Sequence, residues 1–299
     1  MISKRVFMVR PHTFGYNPQT AVNNPFQFNI TKDAIPESAL YEFDTLVKVL
    51  QSKGVEVHVV QDTEDPHTPD ALFPNNWISF HETGQFFLYP MFAANRRAER
   101  KAPVLKYITE QLSFSKRLDL SFYEQQNFFL EGTGSMVLDR DAKIAYACRS
   151  PRTHERVLRD FCMLAGYTPC IFDAIDASGY PYYHTNVLMT VTRHHIIMCL
   201  ESVVSEVQRQ QLKSCIQKSK KHLLTISRKQ VNAFAGNMLE LQGHSILPLL
   251  VMSTQAFLSL TPLQSEQLSC YNELVHCALY TIEKVGGGSA RCMLAEIPG

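Results

Sequence analysis

Short apolar runs alternate along this chain with stretches whose apolar residues recur at helical spacing, and the two kinds follow one another in a fixed order. Arg5–Val9 reads as a strand ended at Arg10-Pro11, and the polar loop Asn17–Asn29 carries N-P turn signals. Over about Glu37–Lys53, Leu40, Phe43, Val47 and Leu50 share one helical face, with Gly54 placed as a C-terminal cap. Val55–Val60 follows as a strand. The stretch F-P-N-N-W-I-S-F-H-E-T-G-Q-F-F-L-Y-P then reads as a hairpin turning at Glu82-Thr83-Gly84. A charged helix over Arg96–Leu112 and a strand over Arg117–Phe122 come next.

The same order returns three more times. Phe128–Cys148 holds a strand pair turning at Asp139-Arg140-Asp141, a helix over Thr153–Ala165 capped by Gly166, and the strand Thr168–Phe172. His184–Leu200 is a hairpin turning near Arg193-His194, followed by a helix over Val203–Lys218 and the strand Leu223–Ile226. Asn237–Met252 is a hairpin turning at Gln242-Gly243-His244, and its helix starts at Thr261-Pro262, where Thr261 and Gln264 suit a capping box. Hairpin, helix and strand therefore repeat at a period of about fifty residues, within the range of repeat architectures. The first helix makes a fifth unit that lacks its complete hairpin. Pairing the last strand, Cys292–Ile297, with the first, Arg5–Val9, supplies the missing strands and covers a sheet edge. The expected fold class is α/β, with five ββαβ units closed into a ring by the N- and C-terminal strands.

Composition narrows the function. The 299 residues are 45% hydrophobic and 19% charged with net charge +1, an ordinary globular balance without a basic stripe for nucleic acid or a membrane surface. The one dense basic cluster, Arg96–Lys101, reads as a solvated helix face. Met1–Val9 is too short and too polar for a signal peptide, and no apolar run spans a bilayer. The eight cysteines contain no CxxC pair, so the expected compartment is a reducing cytoplasm. Cys148, Cys162, Cys199 and Cys277 sit in apolar runs and are expected buried and reduced. His194-His195 is rejected as a metal pair because adjacent strand residues point to opposite faces. E-G-T-G-S and V-G-G-G-S lack the lysine and following helix of a phosphate loop.

Superposing the units on their hairpin entries aligns N-N-W-I, G-S-M-V, T-N-V-L, G-N-M-L and R-C-M-L. Asn76, Ser135, Asn186, Asn237 and Cys292 then hold equivalent positions and face one axis, with Asn75, Glu131 and His184 just upstream. Taken alone, Cys292 after three glycines is more simply a buried core thiol. The superposition brings to one mouth a nucleophile, a proton carrier and a carboxylate, the set that covalent thiol catalysis needs. Asp70 with Asn75 and Asn76 suits a polar pocket for a planar nitrogen-rich group, or a loop of Asx turns. Arg96 or Arg97, and Arg152, are candidates for a substrate carboxylate.

These stretches carry a family resemblance. M-V-R-P with A-V-N-N-P-F-Q, P-D-A-L-F-P-N-N-W, Y-P-M-F-A-A-N-R-R-A-E-R, F-L-E-G-T-G-S, A-C-R-S-P-R-T, Y-H-T-N-V, A-G-N-M-L-E and G-G-G-S-A-R-C-M span nearly the whole chain. The sequence resembles the guanidino-group modifying enzymes of the pentein superfold, and most closely the amidinotransferase-like branch of citrulline-utilisation hydrolases. Dimethylargininase, arginine deiminase and succinylarginine dihydrolase are related. The resemblance implies a five-bladed ββαβ propeller, with residues 1–299 as one pentein catalytic domain. It implies Cys292 as nucleophile, His184 as general acid/base and Glu131 as the carboxylate that orients substrate nitrogen. Asp70, Asn75, Asn76, Arg97, Arg152, Asn186 and Asn237 are the expected substrate-binding set, and no metal or organic cofactor is expected. Asn75 and Asn76 stand where dimethylargininase-like relatives carry acids, which points towards a neutral ureido head such as that of citrulline. The expected activity is hydrolysis of a guanidino or ureido C–N bond in an arginine- or citrulline-like substrate through a thiouronium or S-carbamoyl intermediate. An amidinotransferase sharing the first half-reaction and a non-catalytic binding protein are the alternatives. The expected partner is a small amino-acid substrate, with neither nucleic acid nor membrane, and a homodimer stays open.

Overall fold

A computed structural model describes residues 2–30 and 34–298. Among these described residues, fifteen strands form five separate three-stranded sheets. In chain order the strands are β1 Arg5–Arg10, β2 Glu56–Gln61, β3 Ile78–His81, β4 Gln85–Leu88, β5 Lys116–Asp119, β6 Val137–Asp139, β7 Ile144–Cys148 and β8 Thr168–Phe172. They continue as β9 Met189–Val191, β10 His195–Met198, β11 His222–Thr225, β12 Leu239–Leu241, β13 Leu249–Ser253, β14 Glu273–Cys277 and β15 Ala295–Ile297. Each sheet has one plan. A short inner strand runs antiparallel to a middle strand, and the outer strand pairs parallel to the middle one after a helical crossover. The fifth sheet draws its inner strand from the far end of the chain, because β15 pairs antiparallel with β1 at Arg5↔Ile297 and Phe7↔Ala295. Ring closure thus happens inside one sheet, as the repeat predicts, and the five sheets do not merge into a barrel.

The helices follow the apolar spacing. Glu155–Ala165 buries Val157, Leu158, Phe161 and Cys162, starts at His154, whose ring accepts from the Arg156 N–H, and ends at Gly166 with φ +73°. The Thr261/Gln264 capping box is present, with Pro262 in the first turn.

Four expectations are corrected. The hairpin before β13 turns through a longer loop than Gln242-Gly243-His244, since β12 ends at Leu241 and β13 starts at Leu249. The helix read over Arg96–Leu112 is two, Ala94–Arg97 and Ala102–Glu110, parted at Lys101 with φ −67° and ψ 142°. Most charges of the run Arg96–Lys101 are buried rather than solvated: Arg96, Glu99 and Lys101 are buried, while Arg97 and Arg100 are half-buried. Lys101 Nζ lies 2.8 Å from Asp62 Oδ1 and donates to the Thr63 and Pro66 carbonyls, which fixes the break by long-range pairing. Last, Cys292 does not open the final strand. It lies in the 3-10 turn Ala290–Met293, and β15 starts three residues later.

That shift is shared by other units. Asn76, Ser135 and Asn186 each sit in a helical turn, Pro74–Asn76, Gly132–Ser135 and Thr185–Leu188, just before an inner strand. A helical turn at each entry brings side chains of the different units to the axis, where an extended strand would turn alternate ones away.

Candidate active site

Around the N-terminal ends of the inner strands, the loops enclose a cavity of about 10 Å³, room for one water. It is lined by Cys292, His184, Asp70, Asn76, Arg96 and Arg152, with Thr20, Asn24, Phe73, Tyr183 and Gly286–Gly288. A larger cavity of about 740 Å³ lies at the C-terminal ends of those strands, around Asp139, Val191, Glu240 and Glu296, and shares no lining residue with the first. The chemistry-bearing groups are at the small one.

Glu131 is fully buried, and its carboxylate is saturated. Oε1 accepts from the Phe92 N–H at 3.0 Å, while Oε2 accepts from His184 Nε2 at 2.8 Å and Arg152 Nη1 at 3.4 Å. Burial alone would raise its pKa, but Arg152, His184 and Arg96 together hold it well below the ordinary carboxylate range. An ionised carboxylate only accepts, so the proton of neutral His184 sits on Nε2 and its Nδ1 is the free base. Burial lowers the His184 pKa to about 4 despite Glu131, so the ring is neutral at pH 7. Gly134 makes this approach feasible. A Cβ there would stand 2.8 Å from His184 Nδ1 and 2.4 Å from Asn76 Nδ2.

The Cys292 sulfur accepts from Asn237 Nδ2 at 3.3 Å and Asn186 Nδ2 at 3.5 Å. Burial raises its pKa above the free-thiol value, against the pull of the Ser289 backbone and the two amides. The resting sulfur is therefore a thiol.

Asp70 and Asn76 present the opposite ends of a polar pair. Asp70 Oδ2 accepts from Asn17 Nδ2 at 2.7 Å and Thr20 Oγ1 at 3.1 Å, while its buried Oδ1 has no partner. Burial raises the Asp70 pKa, with Arg96 opposing. Asn76 Oδ1 accepts from Arg96 Nη1 at 2.7 Å, which leaves the buried Nδ2 without a partner. Arg96 is itself clamped by Glu99, at 2.7 and 2.9 Å, and donates to the Phe73 carbonyl. It therefore dictates which end of the Asn76 amide faces the cavity.

The other expected binding residues divide. Asn186 and Asn237 meet at the sulfur. Asn75, next to Asn76 in the same turn, instead donates to Thr133 Oγ1 at 3.3 Å and does not line the cavity. Arg152 lines it, but its fork is filled by Glu131, Asn23 and the Thr20 carbonyl. Arg97 is outside the lining; it donates to the Met91 and Phe92 carbonyls and lies over Phe129. Of the neighbours Arg96 and Arg97, it is Arg96 that is buried at the cavity. Thr20, Asn24 and Tyr183 were not singled out from sequence. They belong to the loop Asn17–Asn29 and the strip before His184, and Asn24 closes the roof by donating to the Gly287 carbonyl at 3.2 Å. Among the described residues, no group of three or more His, Cys, Asp or Glu is placed to hold a metal, and no helix is long and apolar enough to cross a membrane.

Behind the glycine loop, Glu283 Oε1 accepts from Ser289 Oγ at 2.6 Å, while Oε2 is buried without a partner. Burial pushes the Glu283 pKa up to about 7, against Ser253 and Ser289. A folded-state pKa above the unfolded one means stability that is full below about pH 4.5 and is lost as pH rises through 7. Glu283→Gln is expected to unfold like the parent at pH 4.5 and to be more stable at pH 8 by on the order of 3 kcal/mol. Denaturant titrations at the two pH values check this; equal differences at both would contradict it.

Comparison with known proteins gives the fold and the family. The chain matches the family model described as N,N dimethylarginine dimethylhydrolase, eukaryotic, over residues 10–298. No curated protein matches. Among solved structures, the N-terminal domain of ArgZ, an arginine dihydrolase of the ornithine-ammonia cycle in Cyanobacteria, superposes with TM-score 0.77 at 17% identity, covering 98% of both chains. Against full-length ArgZ the TM-score is 0.76 at 16% identity, and the chain spans 40% of that protein. A DDAH mutant from Pseudomonas aeruginosa complexed with citrulline gives TM-score 0.63 at 13% identity over 99% of this chain and 100% of that one. These likenesses confirm the pentein fold, and the full-length family match places the chain among the guanidino-group modifying enzymes, as a member of the eukaryotic N,N-dimethylarginine dimethylhydrolase family.

Proposed function

We propose that this protein is a cysteine-dependent hydrolase of the planar C–N head of an arginine- or citrulline-like amino acid. The observation that supports this best is the convergence on one cavity of the Cys292 thiol, the unprotonated His184 Nδ1, an unpaired acceptor at Asp70 Oδ1 and an unpaired donor at Asn76 Nδ2. Sulfur attacks the central carbon and its proton passes to His184, whose imidazolium is stabilised by Glu131. The imidazolium then protonates the departing nitrogen. His184 next takes a proton from water, whose oxygen displaces the sulfur and restores the thiol. Asn186 and Asn237 donate to the sulfur through the cycle.

Within that class the unpaired atoms favour a ureido head. A ureido N–H satisfies Asp70 Oδ1, and its oxygen accepts from Asn76 Nδ2. A guanidinium carries no acceptor and leaves the amide unpaired, which costs about 1–3 kcal/mol. The guanidino reading keeps one observation of its own: the unpaired Asp70 Oδ1 accepts equally well from a guanidinium N–H. The solved relatives include both an arginine dihydrolase and a citrulline complex.

Ammonia and amine release from citrulline, arginine, methylated arginines and acylated arginines decides between them. Citrulline-type substrates are expected ahead. Asn76→Asp is expected to lower kcat/KM on the ureido substrate by about 10²-fold and to raise it on the guanidino counterpart. An amidinotransferase would instead deliver an amidino group to an added amine. Absence of turnover on the whole panel, with Cys292 unreactive towards a haloacetamidine probe, would leave the binding-protein reading.

A further inference from the structure

Two cysteines far from the cavity face each other across a seam between neighbouring units. Cys170 is buried on β8, the outer strand of its sheet, and Cys215 is half-buried on the Glu206–Ser219 helix of the next unit. The surrounding register places one over the other. Tyr146 on β7 is the lateral partner of Cys170, and its hydroxyl bonds Ser219 Oγ at 2.9 Å, one helical turn beyond Cys215. Ser219 Oγ in turn donates to the Cys215 carbonyl at 3.4 Å. The two thiols are near enough for each to shift the pKa of the other. Neither takes part in the chemistry assigned to Cys292.

We propose that Cys170 and Cys215 are a modification site: a hydroperoxide converts them to a reversible disulfide that staples the two units together. The half-buried sulfur is the one a small oxidant reaches first. The neighbouring Cys170 thiol lowers the Cys215 pKa, and Lys218 one turn on adds to this, while Cys215 and burial push Cys170 up. The Cys215 thiolate attacks the peroxide, its sulfur is oxidised to the sulfenic acid, and the O–O bond breaks to release hydroxide or alkoxide. The Cys170 sulfur then displaces the sulfenic hydroxyl. The S–S bond forms, and the Cys170 proton leaves with that oxygen as water. A dithiol reductant returns both thiols. Cys162 is buried on the neighbouring helix, and Cys270 is the exposed competitor for oxidant. The bond closes a loop that contains Tyr183 and His184, so it braces the segment that enters the cavity.

The test treats the whole protein with a small excess of hydrogen peroxide, blocks free thiols with an alkylating agent, and digests it with trypsin and chymotrypsin. Cleavage at Tyr167 separates Cys162 from Cys170. The expected result is a cross-linked peptide pair joining Cys170 to Cys215, 2 Da lighter than the sum of the reduced peptides, lost on treatment with dithiothreitol and absent in Cys215→Ser. In Cys170→Ser, dimedone should label Cys215, because the resolving thiol is gone. Recovery of both cysteines as alkylated thiols at a dose that has already oxidised Cys270 would overturn the proposal. So would Cys215 ending as sulfinic acid with Cys170 free. The peptide map is read on the parent chain, so the outcome does not depend on either variant folding.

Discussion

Cys292→Ser is expected to lose at least about 10⁴-fold in kcat on the best substrate of the panel, with an unfolding midpoint within about 2 °C of the parent. The sulfur has no structural duty that an oxygen could not fill. It is an acceptor for Asn186 and Asn237 in a close-fitting site, and a hydroxyl accepts from both as well. What the exchange removes is a nucleophile that can hand its proton to His184 and bond to a planar carbon. Steady-state rates with a thermal melt check both halves. A serine variant retaining a tenth of the parent rate would mean that the reacting atom is elsewhere.

Glu131→Gln is expected to cost both stability and rate. The parent carboxylate compensates a guanidinium that is itself almost fully buried, and removing one partner of a buried pair leaves an unmatched charge worth about 3–5 kcal/mol. The amide also ends the stabilisation of a protonated His184, so kcat should fall by roughly 10²–10⁴-fold. The pH dependence separates these effects. The depressed folded-state pKa of Glu131 gives stability that is present above the unfolded value near 4.5 and is lost as pH falls below it. Lowering of the His184 pKa to about 4 acts in the same direction: between pH 6.5 and 4 the unfolded chain binds a proton that the fold refuses. Parent stability should therefore fall steeply on acidification, and the glutamine variant should show a shallower fall. A variant as stable as the parent at pH 7 would show that Arg152 does not rely on this carboxylate.

The ring was legible because its signal is redundant. Five units repeat one plan, so an indistinct strand in one is recovered from its equivalents, and pairing of the two chain ends follows from the unit that lacks strands. The alignment of Asn76, Ser135, Asn186, Asn237 and Cys292 likewise brought distant residues to one mouth. Illegible were the features decided by long-range charge. Arg96 and Arg97 are indistinguishable as neighbours in a basic run, yet one is buried by Glu99, Asn76 and the Phe73 carbonyl while the other lies over Phe129. Asn75 and Asn76 are a similar pair, separated only by the direction of a 3-10 turn. Nothing in the local sequence states that the fork of Arg152 is already filled.

The tightness of the closed site has a consequence for the fate of the intermediate. Once the first nitrogen has left, a chamber sized for a single solvent molecule can supply the second nucleophile from what is already inside. The Asn24–Gly287 and Arg152–Asn23 links tie the Asn17–Asn29 segment down beside that room, which leaves a water better placed than a second amino acid to reach the intermediate. Loosening these links should therefore shift the partition between water and amine without altering a single reacting group.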